Sequence, residues 1–239
     1  MRLIWEVEPK DVEQVRSFFQ TYEADPLVQE RQQRNLAQVK PLLSKESVWE
    51  ILVACLLTTQ QRSGPSSAIS RFIEERPFLL NYDDCLSQTD LAAWANRILS
   101  GFGGIRRHSI IAGEVSANLA DLEKGLWKEL MGVLDGLRLV DSSAAEREAA
   151  DFVRANLKGF GPKQSRNLLQ WLGLTRYEIP IDSRISKWLN RFGFPLQLSA
   201  SALSDPGYYD LVSDGFQQLC KQSDLFPCLL DAAIFASFD

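Results

Sequence analysis

The chain has 239 residues, 45% of them hydrophobic and 24% charged, with a formal net charge of −5. That is an ordinary globular composition, long enough for one larger domain or two small ones that each bury a core, and its acidity argues against a protein that coats nucleic acid without selectivity. The opening MRLIWEVEPKDVEQVR puts charges where a secretory signal needs an apolar run, and the longest apolar run, Ile51 to Leu57, is far too short to span a bilayer, so a soluble, cytoplasmic protein with no membrane partner is expected.

Alternating strand patterns are scarce and most apolar residues recur at spacings of three and four, which predicts an all-α fold. Asp11 to Tyr22 carries Val12, Val15, Phe18 and Phe19 on one face, and Pro26 to Val39 reads as a second, more polar helix. Ser47-Val48-Trp49-Glu50 has the form of a capping box and opens a helix that is apolar nearly all round through Leu57, the best candidate for a core helix. It runs out in Thr58-Thr59-Gln60-Gln61-Arg62, ahead of Ser63-Gly64-Pro65. Pro65 to Glu75, Leu91 to Leu99, Arg106 to Leu119 and Leu122 to Leu134 follow as helices bounded by Gly, Pro or Ser. Gly101-Phe102-Gly103-Gly104-Ile105 reads as a helix stop and a turn, and Arg106, Arg107 and His108 after it as a contact to a phosphate or, the commoner case, a solvated basic turn. Further helices are expected over Ile185 to Phe192, Tyr208 to Lys221 and Cys228 to Phe238.

The densest chemistry lies in LKGFGPKQSRNLLQWLGLTRYEIPIDSR, Leu157 to Arg184. Ser143-Ala144-Ala145-Glu146 resembles a capping box that starts a helix running to Lys158, where Gly159 supplies the left-handed stop. Gly161 allows a second close turn, and Pro162 suits the first position of a new helix, where its missing N–H costs nothing. The result is helix, hairpin, helix, with backbone N–H groups at a helix start able to seat a phosphate regardless of sequence. Lys163 in the first helical turn sits at the positive end of the macrodipole, which disfavours its ammonium form and favours a nucleophilic amine. Asp182 is 19 residues further on, a carboxylate able to stabilise developing positive charge and to move protons. Taken singly, the bland alternatives are a solvated lysine and a cap on the helix Ser183 to Phe192. From Arg154 to Arg191 there are eight basic residues against two acidic ones, so positive charge is concentrated around the hairpin despite the net acidity.

LKGFGPKQSRNLL together with Pro180-Ile181-Asp182 resembles the signature of the helix-hairpin-helix (HhH-GPD) DNA glycosylase superfamily, and most nearly that of the small microbial 8-oxoguanine DNA glycosylase/AP lyases, from about Ser47 onward. The resemblance implies two helical domains with a cleft between them: 1–45 with 141–239, carrying the hairpin and the catalytic residues, and 46–140 as a central helical domain. It implies Lys163 as the nucleophile that forms a Schiff base and Asp182 as its carboxylate. The expected partner is double-stranded DNA with a damaged base, bound by a monomer that flips the base out of the stack. Gly159, Phe160 and Gly161 would touch the DNA backbone, with Arg166 and Arg184 as further DNA contacts. Gln60 or Gln61 would enter the gap that the base leaves, the alternative being a polar helix exit. Asn167, Phe235 and Phe238 are candidates for the base pocket, although core packing is the commoner use of such phenylalanines.

The departures from the family's pattern bear on the substrate. Arg184 stands where many relatives have His, Asn167 replaces a residue that touches the base in some relatives, and the chain ends Ser237-Phe238-Asp239 where the microbial type has a C-terminal lysine. An oxidised purine is the expected lesion and an oxidised pyrimidine the next. A monofunctional glycosylase, in which Asp182 activates water, and a non-catalytic helix-hairpin-helix module remain as alternatives. Related endonuclease III types hold an iron–sulfur cluster on four closely spaced cysteines; Cys55, Cys85, Cys220 and Cys228 lack that spacing, and His108 is the sole histidine, so no cofactor and no metal are expected.

Overall fold

A computed structural model of the protein describes residues 4–61, 64 and 66–238. Arg62, Ser63 and Pro65 of the expected polar exit, and Asp239 at the chain's end, lie outside the described residues. Among those described, the regular structure is helical throughout. In chain order the helices are α1 (Pro9–Tyr22), α2 (Pro26–Asn35), α3 (Lys45–Leu57), α4 (Ala68–Glu74), α5 (Tyr82–Leu86), α6 (Leu91–Phe102) and α7 (His108–Asp121), then α8 (Trp127–Leu139), α9 (Ser143–Asn156), α10 (Pro162–Trp171), α11 (Ser183–Phe192), α12 (Pro206–Gln222) and α13 (Pro227–Ala236). The chain divides into two compact units, Met1–Lys40 with Leu137–Asp151 and Gly161–Asp239, and Pro41–Gly136 with Phe152–Phe160.

In the first unit α13 is the hub, packing against α1, α2, α11 and α12. Its sequence PCLLDAAIFA is apolar nearly all round, which suits a helix with neighbours on several sides. Leu230 and Ile234 meet Val15, Ile181, Ile185, Leu189, Tyr209, Val212 and Phe216 in one core, and removing each large apolar side chain from water is worth about 1.5–3 kcal/mol. Helix α2 stops at Asn35, short of the expected Val39, because that side chain turns inward and donates to the carbonyls of Gln170 (2.9 Å) and Thr175 (2.8 Å). A buried amide bonded across 135 and 140 residues of chain outweighs one more polar helical turn.

The second unit is built on α3, whose Trp49, Leu52, Val53 and Leu56 are fully buried. The indole N–H of Trp49 donates to the Leu80 carbonyl at 3.0 Å. Its start corrects the expected capping box. Ser44 is the N-cap and Ser47 the residue that bonds back to it, so the helix begins three residues earlier and Glu50 faces Arg76 at 3.0 Å instead. Helix α5, capped by Asn81, was not foreseen, since five residues are too few to show a helical period.

Glu146 also departs from its expected part. It is completely buried, and instead of capping α9 it accepts the backbone N–H of Arg176 on Oε1 (2.9 Å) and those of Tyr177 and Glu178 on Oε2 (2.8 Å each). Burial pushes its carboxyl up to about 7 against the pull of those three donors. Its role is to fix the loop between α10 and α11.

Candidate active site

The exit of α9 is held by Asn118, which donates to the Lys158 carbonyl (2.9 Å) and accepts the Lys158 N–H (2.7 Å). Gly159 then turns at φ +83°, and a Cβ there would lie 2.6 Å from Leu56 Cδ2 and 2.7 Å from Glu114 Cδ. Glycine is therefore required twice over, by backbone conformation and by close packing. Phe160, expected at the DNA, is only 5% exposed, so its ring serves the core and only its backbone remains for a ligand. Gly161 differs. Its φ of −89° and ψ of −173° are open to any residue, and a Cβ would meet nothing within 4 Å. No side chain caps α10, and Pro162 takes its first turn.

Lys163 follows in that first turn, half-buried, with Nζ 3.3 Å from Gln164 Oε1. The same oxygen accepts from Asn167 Nδ2 at 3.3 Å. Gln164 and Asn167 are each 5% exposed, so α10 carries a buried row of amides beside the lysine, one turn apart.

Asp182 is the N-cap of α11. Its Oδ1 accepts the N–H groups of Arg184 (2.7 Å) and Ile185 (3.1 Å), while Oδ2 faces Arg184 Nη1 at 3.3 Å. The backbone leading to it is pinned by Tyr209, whose hydroxyl accepts the Ile181 N–H (2.6 Å) and donates to the Ile179 carbonyl (2.8 Å). Capping thus takes one oxygen of the carboxylate and leaves the other facing Arg184. On α13, Asp231 is buried, paired with Arg31 at 2.5 Å and accepting from Gln170 Nε2 at 3.0 Å. Burial raises the Asp231 carboxyl, Arg31 opposes that, and the charge of Asp182 raises it further.

Arg184 lies over the ring of Phe235, its guanidinium carbon 3.8 Å from the centroid. Phe238 packs against the core of the first unit and carries Arg191 at 5.8 Å. One face of each candidate stacking ring is thereby already engaged by an arginine. Arg166, expected at the DNA, is instead 1% exposed. It pairs with Glu178 (2.5 Å) and Asp210 (2.7 Å), donates to the Pro162 carbonyl (3.2 Å) and lies over Tyr209. A guanidinium so enclosed anchors the first turn of α10 and has no face for a phosphate. Arg176 is likewise matched to Asp141 at 2.6 Å, so the basic excess around the hairpin is smaller than the count of residues suggests; Lys158, Lys187 and Arg191 are exposed.

In the second unit the two glutamines part company. Gln61 uses both ends of its amide, donating to the Leu57 carbonyl (2.8 Å) and accepting the Arg106 N–H (3.1 Å). Gln60 is exposed and left-handed, at φ +55°, an uncommon state for a residue with a side chain. The first unit thus holds Lys163, Asp182, Arg184, Asn167, Phe235 and Phe238, and the second holds Gln60, Gln61, Gly159 and Phe160. Sequence reading did not single out Asp231 or Arg31. A lone carboxylate in the apolar run of α13 was the available signal.

This all-α architecture is also met among solved structures. The chain is similar to the crystal structure of the 8-oxoguanine DNA glycosylase of Thermotoga maritima, at 14% identity and a TM-score of 0.65, over 95% of this chain and 96% of that one. At that identity the likeness is one of fold. No family model matches the chain, and no curated protein matches it.

Proposed function

We propose that this protein is a helix-hairpin-helix DNA glycosylase with AP lyase activity, acting as a monomer on double-stranded DNA and removing a flipped oxidised purine, 8-oxoguanine foremost. The observation that carries this is the placing of Lys163 in the first turn of the uncapped α10, directly after Gly161-Pro162, with the N-cap carboxylate Asp182 in the same unit. The fold shared with an 8-oxoguanine glycosylase supports it.

The unprotonated amine of Lys163 attacks the sugar C1′ as the bond to the base breaks, and the base leaves with the bonding electrons and takes up a proton. Asp182 stabilises the positive charge that develops on the sugar, through the oxygen not spent on capping. The aminal at C1′ opens its sugar ring to a Schiff base, which makes the C2′ protons acidic. Loss of one of them expels the 3′ phosphate and nicks the strand, and water then frees the lysine. Backbone at Gly161 and the start of α10 hold a phosphate while this happens. Gln60, with its amide uncommitted to the α3 exit that Gln61 serves, fills the gap in the duplex.

Borohydride trapping tests this on duplexes carrying 8-oxoguanine opposite cytosine, thymine glycol, or an abasic site. The expected result is a covalent adduct on the 8-oxoguanine duplex with wild type and none with Lys163→Gln, which still binds DNA. An adduct confined to thymine glycol would reassign the lesion to an oxidised pyrimidine. Full nicking by Lys163→Gln would remove the lysine from the mechanism.

A further inference from the structure

We infer that Arg184 is a positioning residue for Asp182 and not a contact to the DNA backbone, an inference that rests on the catalytic role proposed for that carboxylate. Asp182 has one oxygen committed to its own helix, since Oδ1 takes the N–H groups of Arg184 and Ile185. All its chemistry falls to Oδ2, and the group that Oδ2 faces is Arg184 Nη1, at 3.3 Å. The arginine has a seat of its own. Its guanidinium lies 3.8 Å from the centroid of Phe235, on a different helix, and a planar cation stacked on an aromatic face is held in one orientation. Phe235 on α13 therefore orients Arg184, and Arg184 orients Oδ2 on α11.

Charge also calls for such a partner. The charge of Asp182 is felt by Asp231 of α13, a carboxylate whose own charge is met by Arg31 of α2. Arg184 supplies the matching positive charge to Asp182 from its own helix. With side chains 24% and 25% exposed, the pair is sheltered enough to stay oriented and open enough to meet a sugar. A lysine in place of Arg184 keeps the charge but cannot both lie over Phe235 and hold Oδ2.

The test separates positioning from phosphate binding by measuring single-turnover base release at saturating protein alongside DNA affinity as a function of salt. Arg184→Ala is expected to slow base release on the order of 10–100-fold, the scale of a misplaced catalytic group, while affinity and its salt dependence stay unchanged. Arg184→Lys and Phe235→Leu should fall between it and wild type, and they carry the test should the alanine variant fold poorly. In an Asp182→Asn background, Arg184→Ala should add no further loss, because nothing remains to be positioned. An unchanged rate with weaker binding and a salt slope lowered by about one phosphate would make Arg184 a backbone contact and overturn the inference. Full base release by Asp182→Asn alone would instead sink the proposed role of that carboxylate.

Discussion

Gly101-Phe102-Gly103-Gly104-Ile105 and Gly159-Phe160-Gly161-Pro162-Lys163 differ only in their last two residues. In the first, Gly103 and Gly104 are both left-handed, Ile105 is buried, and α7 does not begin until His108. In the second, Gly159 alone is left-handed and α10 begins at once with Pro162. The fourth position decides between them. A glycine there prolongs the turn and sends the next side chain into the core, whereas proline, with φ already near the helical value, places the next residue in a first helical turn. The same opening letters thus make a packing corner in one place and, in the other, a helix end with an amine on it.

The sharpest way to break this comparison is to release α10 from beneath. Arg166→Ala leaves Glu178 buried without one of its cations, and a loss of about 3–5 kcal/mol is expected in denaturant unfolding, with no lowering of the salt slope of DNA binding. If stability holds and the salt slope drops, Arg166 is a DNA contact after all. Glu146 supports the loop beyond α10 and links it to pH. Its carboxyl is held up to about 7 when folded, above its value in the unfolded chain, so its proton stabilises the fold. That contribution is full below the ordinary carboxylate range and is lost as pH rises through about 7. Urea midpoints measured from pH 5 to pH 8 should fall for wild type and change less for Glu146→Gln.

Smaller effects tell the glycines apart. Gly159→Ala meets Leu56 and Glu114, and Gly104→Ala meets the Ala68 Cβ at 2.8 Å, each at a positive φ. Both should lose about 1–3 kcal/mol. Gly161→Ala has open space and an ordinary backbone and should change stability by less than about 0.5 kcal/mol, yet weaken DNA binding by crowding the phosphate seat proposed there. Equal binding by Gly161→Ala and wild type would show that DNA does not approach there.

The helical class, the order of the main helices and the two-glycine hairpin were legible because period, proline and glycine are local signals. What escaped was polar and mostly distant. Glu146 has the spacing of a capping box and spends it on a loop 30 residues away; Ser47 looked like the first residue of α3 and is the partner of Ser44. Arg166 has the composition of a surface charge, but its partners Glu178 and Asp210 lie 12 and 44 residues along the chain. Gln60 and Gln61 are indistinguishable by type, and the bonds of Gln61 to Leu57 and Arg106, with the positive φ of Gln60, separate them. For Glu146, Arg166 and Gln61 the deciding partner is set by how helices pack, at 30, 44 and 45 residues along the chain, whereas Ser44 lies within one turn of Ser47 and competes with it for the same helix start.

The divided carboxylate of Asp182 has an evolutionary reading under the function proposed above. Asparagine caps a helix about as well as aspartate and keeps the oxygen that holds the N–H groups of Arg184 and Ile185. A single nucleotide change converts one codon into the other. The distance from an enzyme to a stable protein that grips damaged DNA without cutting it is then one mutation, open in both directions, because the fold would pass either residue unopposed.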